Sequence, residues 1–342
     1  MRGISTSALA VCVAVVAAAA LHAQSATPAK PIEPIAAIIQ AFQTHSLVAI
    51  GDPHGNEQAA AFRLKLIRDR RFAATVNDIV VEFGSARYQD VVDRFERGED
   101  VSADSLRHVW QDTTQVEFDW DLPPYEELFR AVRAVNMSLP QDRRLRVLLG
   151  DPPIDWTTIH TGRDLMSVME AGRDEHAVRV IQTEVLAKGR KALIIYGDQH
   201  LIRRNAIPNA PQPWARGLVA QLERPGIATV FTVHPETRRD WNTWQTDASA
   251  WPVPSLALTK GTTLGNGLFT AAPQREVRVE DQFDALLYLG PPSAMTKAKL
   301  APMLCADRQY VDMRMSRLAL VAPPPGAPIT PADLLKVECG IK

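Results

Sequence analysis

The sequence predicts an α/β protein with a mostly parallel β-sheet flanked by helices on both faces. Three apolar runs end at Gly-Asp, in LVAIGDPHG (47–55), RVLLGDPPI (146–154) and ALIIYGDQHL (192–201). Two further runs, DIVVEFG (78–84) and ATVFTVHPE (228–236), end near a Glu and a His. Short β-branched runs separated by segments of helical spacing are typical of parallel strands. The ligand crevice of such a sheet lies at the carboxyl ends of the strands, so we expect the functional groups there.

The strand assignments follow from these runs in chain order. Each run is short and apolar, and each is bounded by Gly, Pro or charged residues, as strands usually are. The predicted strands cover 46–51, 79–83, 146–150, 192–196 and 228–233. A later run, DALLYLG at 284–290, has the same character, and we expect it to join the same sheet.

Between the strands, apolar residues at helical spacing predict the helices. The segment Gln58–Arg70 follows the GDPHG turn, and Ala86–Arg97 is amphipathic and ends near Gly98. Pro124 lies where the next helix begins, because proline is tolerated in the first turn. After the third strand we expect one long helix over Gly162–Ala187.

Size and composition favour one large domain. The chain has 342 residues, of which 46% are hydrophobic and 23% charged, and these values allow a sizeable core. We expect a single α/β domain over 41–342, a flexible lead-in over 24–40, and a loop-rich insertion near 240–280 where Trp, Pro and Gly break the pattern. The net charge of −1, without a block of Lys or Arg, argues against a nucleic-acid partner.

Residues 1–23 have the pattern of a secretory signal peptide. Arg2 precedes the apolar stretch Ala8–Leu21, and small residues lie around Ala23. The alternative is a membrane anchor, but the run is short and polar residues follow it at once. No later segment is apolar enough to cross a bilayer. We therefore expect a periplasmic or secreted protein with no transmembrane segment after signal removal.

Removal of the signal leaves two cysteines, Cys305 and Cys339. In an exported chain the simplest expectation is a disulfide between them, which clamps the C-terminal segment. Two free thiols are the alternative. Neither cysteine lies in a Cys-x-x-Cys motif, so redox catalysis and a thiolate metal site are not indicated.

Three ionisable residues lie at or near predicted strand ends. His54 follows the first strand in the turn GDPHG, and His200 follows the fourth in GDQH. Glu82 interrupts the apolar run IVVEFG, where an unpaired buried carboxylate is costly. The structural alternatives are histidines that cap a helix or turn, and a Glu that forms an ion pair with Arg87 or Arg63. Because carboxyl ends of parallel strands meet at one edge, we expect the three residues to form one site.

Two kinds of chemistry fit these three side chains. Two imidazoles and one carboxylate are the ligand set of a hydrolytic His₂Glu metal site with an open position for water. The same groups also suit a site without metal, in which one His takes a proton from water and Glu82 orients it. No HExxH motif is present, which lowers the expectation of a metal. Spacing alone leaves both alternatives open.

Five further residues are candidates for supporting roles. Asp52, Asp151 and Asp198 each follow a strand-ending Gly, so they either cap the next helix or hold His rings. Arg63 and Arg163 are candidates to stabilise a carboxylate or an oxyanion.

Other residues near the strand ends receive less weight. His234 ends the fifth run, but HPE is a common turn. The loop pairs Asp119-Trp120 and Asp155-Trp156 either supply an apolar wall for a ligand or pack on the surface. No G-x-S-x-G elbow, G-x-G-x-x-G loop or P-loop is present, which disfavours a common serine hydrolase and nucleotide binding.

The order of these motifs resembles a known superfamily over about residues 45–205 and the late YLG strand. The segments IGDPHGNEQ, VVEFGSARYQDVVDRFERG, PPYEELFRAVRAVN, LLGDPPIDW and LIIYGDQHL resemble those of erythromycin esterases, ChaN-like haem-binding proteins and Tiki-type metalloproteases, with the ChaN-like branch nearest. The shared signature is Gly-x-x-His, a Glu that ends the next strand, and a later Gly-x-x-His. Carried over to this chain, these are His54, Glu82 and His200.

The resemblance implies a parallel-sheet core with its site at the strand ends, but its branches imply different chemistry. In the esterase branch a His activates water to open an ester. The Tiki branch implies a divalent metal and peptide hydrolysis, and the ChaN branch implies haem binding. This chain departs from the pattern at Asp52, where the family usually has Glu two residues before the histidine.

Two hypotheses from different classes follow. The first is an exported hydrolase that attacks an ester or amide bond of a small-molecule or peptide substrate, with His54, Glu82 and His200 as its catalytic residues or its metal ligands. The second is a periplasmic protein that binds haem or another metal complex, favoured by the export signal and the aromatic loops at 110–125 and 241–251. An inactive relative, in which Glu82 is only salt-bridged, is a third alternative. The sequence does not identify the cofactor.

Overall fold

The strands form around the apolar runs, and their bounds come from a computed structural model that describes residues 26–203, 217–271, 275–321 and 330–340. The strands in this part of the chain are β1 (Leu47–Asp52), β2 (Asp78–Ser85), β3 (Arg146–Asp151), β4 (Ala192–Gly197), β5 (Val230–Pro235), β6 (Ser255–Leu258), β7 (Leu268–Ala271), β8 (Arg275–Arg278) and β9 (Ala285–Tyr288). The predicted strands agree with β1 to β5 and with β9.

Seven of these strands form one sheet in the order β3-β2-β4-β1-β5-β9-β6. Strands β1 to β5 and β9 pair in parallel, and β6 pairs antiparallel to β9 at the edge. The predicted α/β class with a mostly parallel sheet is confirmed. In this order β2, β4 and β1 are neighbours, so the segments that follow them meet at one edge of the sheet.

Helices cover both faces of the sheet. They are α1 (Pro34–Ala41), α2 (Glu57–Arg68), α3 (Arg70–Thr75), α4 (Gln89–Glu96), α5 (Ala103–Gln111), α6 (Pro123–Met137), α7 (Gly162–Glu170), α8 (Arg173–Val180), α9 (Leu218–Leu222), α10 (Val279–Gln282), α11 (Pro302–Ala306), α12 (Arg308–Leu318) and α13 (Pro331–Cys339). Val48 and Ile50 of β1 contribute to one apolar core, and Leu47 and Ala49 contribute to the other. This alternation is that of a strand buried on both faces.

The structure differs from the sequence prediction at three places. The long helix expected over Gly162–Ala187 is interrupted at Gly172, whose φ of 99° lies outside the helical region and separates α7 from α8. Residues 34–40, expected in the flexible lead-in, belong to α1, because Ile35 and Ile38 are buried in the core. The expected loop-rich insertion contains β6 and the β7–β8 hairpin, whose four-residue runs are too short to stand out in the sequence.

Cys305 and Cys339 form a disulfide that joins α11 to α13, as the cysteine count predicts. No helix in the described ranges is long and apolar enough to cross a membrane. The predicted signal peptide lies outside the described residues.

The disulfide closes a loop with a sequence separation of 34 residues. Because a cross-link restricts the unfolded chain, we expect Cys305→Ser/Cys339→Ser to lower the free energy of unfolding by about 3–4 kcal/mol. Urea denaturation with and without reductant measures this loss. Reductant should destabilise the wild type and leave the double variant unchanged; equal stability of oxidised and reduced wild type would contradict the expectation.

Candidate functional site

The chain turns sharply after β1 and thereby presents His54 at the edge of the sheet. Pro53 follows the strand, and Gly55 has a φ of 72°, a conformation that glycine adopts without strain. Asn56 caps α2, since its side-chain oxygen accepts the N–H of Ala59 at 2.8 Å. The helix cap considered for His54 is therefore supplied by Asn56, and the imidazole does not cap this helix.

Glu82 lies within β2 and is buried, with a side chain only 4% exposed. Its Oε2 accepts the backbone N–H of Gly197 at 2.7 Å. Its Oε1 lies 3.2 Å from His200 Nε2 and accepts a hydrogen bond from Arg173 Nη2 at 3.3 Å. The sequence candidates for its ion-pair partner were wrong: Arg63 pairs with Asp52, and Arg87 pairs with Asp155.

His200 is placed between two carboxylates. Its Nδ1 lies 2.6 Å from Asp174 Oδ1, and its Nε2 faces Glu82. Burial alone lowers the pKa of this imidazole, but the two carboxylates outweigh burial and raise it to about 10. Burial likewise opposes ionisation of Glu82, yet His200 and Arg173 hold its pKa far below the ordinary value. At neutral pH His200 is therefore an imidazolium and cannot act as a base.

His54 has a different environment. Its Nδ1 lies 3.3 Å from Asp52 Oδ2, and its side chain is 33% exposed. Asp52 also accepts hydrogen bonds from Arg63 Nη1 at 2.6 Å and from the hydroxyl of Tyr125 at 2.9 Å. That hydroxyl accepts the N–H of Gly55 at 3.1 Å, so the carboxylate and the turn are held together.

The pKa of His54 is raised above 6.5, although burial opposes this, because Asp52 accepts from the ring and Glu82 adds negative charge. Asp52 itself remains ionised: burial raises its pKa, but Arg63 and His54 lower it below the ordinary value. An imidazole oriented by one carboxylate, with its other nitrogen available, is the usual arrangement of a general base.

The His54 ring and the Glu82 carboxylate converge around Gly197, where a side chain has no room. A Cβ at Gly197 would lie 2.9 Å from His54 Cε1, 3.2 Å from His54 Nε2 and 3.2 Å from Glu82 Oε2. Trp120 packs against the His54 ring in a T-shaped geometry, with the ring centroids 4.5 Å apart. The structure thus brings His54, Glu82 and His200 together.

A cleft of about 440 Å³ opens beside this cluster. Asp52 and His54 line it from the β1 turn, Asp198 and Gln199 from the turn after β4, and Arg238 from the loop after β5. A cleft of this size suits a small molecule.

The other predicted supporting residues have distinct positions. Asp151 accepts hydrogen bonds from Thr114 Oγ1 at 2.6 Å and from Arg173 Nε at 3.2 Å, so it supports the cation beside Glu82. Asp198 lines the cleft. Arg163 is exposed at the start of α7, and no contact joins it to the site within the described residues.

The sequence analysis missed Arg173 and Asp174 and gave His234 little weight. Arg173 and Asp174 begin α8, directly after the helix break at Gly172 that periodicity does not reveal. His234 is buried at the end of β5, with Nδ1 3.3 Å from Asp198 Oδ1 and Nε2 3.7 Å from Glu236 Oε2. Burial lowers its pKa, but these carboxylates raise it to about 9. Its position at the end of a predicted strand was the one feature of the sequence that pointed to a role of His234 in the site.

The three central residues do not fit a metal ion. Both oxygens of Glu82 are already in contact with donors, and the guanidinium of Arg173 occupies the position of a counter-cation. Across the described part of the chain, no group of three or more His, Cys, Asp or Glu side chains is arranged to hold a metal ion. In this arrangement His54, Glu82 and His200 do not present the open His₂Glu ligand set considered from the sequence.

Comparisons with known proteins rest on fold. The sequence matches no family model, and no curated protein is significantly similar to it. A mutant of the erythromycin esterase EreC in its open conformation is 13% identical, with a TM-score of 0.52 over 78% of this chain and 94% of that chain. A succinoglycan biosynthesis protein is 8% identical, with a TM-score of 0.54 over 80% of this chain and 96% of that chain.

ChaN of Campylobacter jejuni, with cofacially bound haem, is 10% identical, with a TM-score of 0.39 over 75% of this chain and 92% of that chain. This likeness is too distant to carry an argument about function. The structural neighbours thus include an erythromycin esterase, which agrees in its fold with the superfamily that the sequence resembles. At these sequence identities the structural likeness shows only that the proteins share an α/β fold.

The charge of His200 makes part of the stability of the protein dependent on pH. Because folding raises its pKa from the ordinary 6.5 to about 10, its contribution is complete below pH 6.5 and is lost as the pH rises through 10. The difference in the free energy of unfolding between wild type and His200→Asn should therefore shrink between these pH values. Urea denaturation at a series of pH values measures it.

His176 is a matched control on α8. Burial and Arg179 lower its pKa to about 4, so it is neutral throughout this pH range. The stability difference between wild type and His176→Asn should be constant up to pH 10 once the pH is about one unit above 6.5, the pKa of an unfolded histidine. If His200→Asn gave an equally constant difference, His200 would be neutral in the folded protein.

Proposed function

We propose that this protein is an exported hydrolase that cleaves an ester or amide bond with water activated by His54. The observation that carries the proposal is the contrast between the two imidazoles. His200 is fixed as a cation between two carboxylates, whereas His54 has one carboxylate at Nδ1 and lines a cleft. Of these two imidazoles, His54 is therefore the one that we propose exchanges a proton with water.

In the proposed reaction, His54 Nε2 takes a proton from water while the water oxygen bonds to the carbonyl carbon. The proton then passes from Nε2 to the leaving alcohol or amine as the ester or amide bond breaks. Asp52 and Glu82 stabilise the transient imidazolium, since both raise the pKa of His54. His200 and Arg173 keep Glu82 ionised for this role.

Two further features support the proposal. Disulfides persist in oxidising compartments, so the Cys305–Cys339 bond is compatible with export. The cleft is lined mainly by polar and charged residues, with Pro53 and Met295 as its apolar side chains. These polar and charged side chains supply hydrogen-bond partners for a polar substrate, and we therefore place hydrolysis ahead of haem binding.

The first test is hydrolysis of ester and amide panels by the purified protein, with and without a chelator. We expect chelator-insensitive hydrolysis that falls by at least about 100-fold in His54→Ala, the usual contribution of a general base. His45→Ala is the control, because His45 lies before the start of β1, at the opposite end of the strand from His54. Unchanged activity in His54→Ala would refute the proposal. A haem-dependent Soret band that is lost in the same variant would favour the binding protein.

The second test is the pH profile of kcat/KM. The neutral form of His54 is active, so activity should rise with pH through a pKa above 6.5. Removing the charge of Asp52 in Asp52→Asn lowers that pKa, so the acidic limb should move to lower pH while the plateau falls. An acidic limb that stays in place would show that the titrating group is not the imidazole paired with Asp52.

A further inference from the structure

Lys297 is held against the turn that carries His54. Its backbone forms an isolated antiparallel bridge with Asn56, and a Cβ at Gly55 would lie 3.1 Å from Lys297 Cε. The side chain is 62% exposed, and its ammonium lies 3.1 Å from Asp119 Oδ1. Lys297 therefore lines the cleft beside the proposed base, and its side chain is largely exposed.

A second cation reaches the same cleft from another loop. Arg238 follows β5, and Glu236 Oε1 accepts its backbone N–H at 2.8 Å and that of Arg239 at 3.0 Å. These bonds fix the loop, while the side chain of Arg238 is 80% exposed. Its guanidinium lies 3.9 Å from Asp198 Oδ2, too far for a hydrogen bond, so its donors are open to a ligand.

The carboxylates in the wall of the cleft are buried and compensated. Asp52 is 1% exposed and pairs with Arg63 at 2.6 Å. Asp198 is 9% exposed and lies 3.3 Å from His234. A molecule in the cleft therefore faces exposed positive charge, whereas the carboxylates of Asp52 and Asp198 are buried beside cationic side chains.

From this arrangement we propose that the substrate is a small ester or amide that carries a carboxylate or a similar compact anion, which Arg238 and Lys297 bind while the scissile bond faces His54. Guanidinium and ammonium groups are the side chains that proteins use for such anions. The inference rests on the proposed hydrolase function and names its substrate class. Neither cation belongs to the proton-transfer machinery, so both act on specificity.

Hydrolysis of two substrates of similar size tests the inference. The acyl group of para-nitrophenyl hydrogen succinate is anionic, whereas that of para-nitrophenyl butyrate is neutral. We expect kcat/KM to favour the anionic ester by about tenfold or more, the effect of one charged hydrogen bond. Arg238→Gln and Lys297→Gln should each reduce the preference, chiefly by raising KM for the anionic ester, and added salt should weaken it.

Arg308→Gln is the matched control, because this arginine is 93% exposed on α12 and does not line the cleft. It should retain the full preference. Equal kcat/KM for the two esters in the wild type would overturn the inference and leave the hydrolase function intact. A preference that survives in the double variant Arg238→Gln/Lys297→Gln would overturn the role of these two residues.

Calorimetric titration with succinate tests anion binding without reference to activity. Succinate should bind to wild type and Arg308→Gln, and its affinity should fall at least about tenfold in Arg238→Gln/Lys297→Gln, while the neutral analogue succinamide should not bind. Succinate binding without hydrolysis of any ester or amide would refute the hydrolase function and support the anion site. Hydrolysis without succinate binding would refute the anion site alone.

Discussion

An ionised carboxylate in the middle of a buried strand determines how this edge of the protein is built. Glu82 lies in β2 among apolar neighbours, where an unpaired charge would cost several kcal/mol. It is stabilised by the N–H of Gly197, the imidazolium of His200 and the guanidinium of Arg173. These donors come from β4, the turn after it and α8, so the pairing of one charge holds three segments in place.

The charges around Glu82 alternate in sign through the structure. Asp174 pairs with His200, His200 with Glu82, Glu82 with Arg173, and Arg173 with Asp151. His200, Glu82 and Arg173 each have a neighbour of opposite sign on both sides, which offsets their loss of hydration. A network of this kind is rigid before any ligand arrives, and preorganised charge is what a site needs to stabilise charge that develops during a reaction.

The positions of the strand ends could be predicted from the sequence, but the side chains that pair with the residues at those ends could not. Runs that end at Gly-Asp or Glu showed where β1 to β4 stop. Because these strands are parallel, their carboxyl ends lie on the same side of the sheet, and the residues that follow them come close together. Arg173 and Asp174 were hidden, because the helical pattern around Gly172 gives no sign that φ turns positive there. The edge strand β6 was missed because four residues are too few for a periodic pattern.

The repeated Gly-Asp motif shows why local sequence could not assign roles. Asp52, Asp151 and Asp198 all end or follow a strand in the same way. From the sequence alone, each could equally cap a helix or pair with another side chain. Their partners come from distant parts of the chain: Arg63 and His54 for Asp52, Arg173 and Thr114 for Asp151, His234 for Asp198. The motif supplies a carboxylate at each strand end, and its role depends on the side chains that the fold brings to it. Asp52 orients the proposed base, Asp151 supports the buried Arg173, and Asp198 lines the cleft.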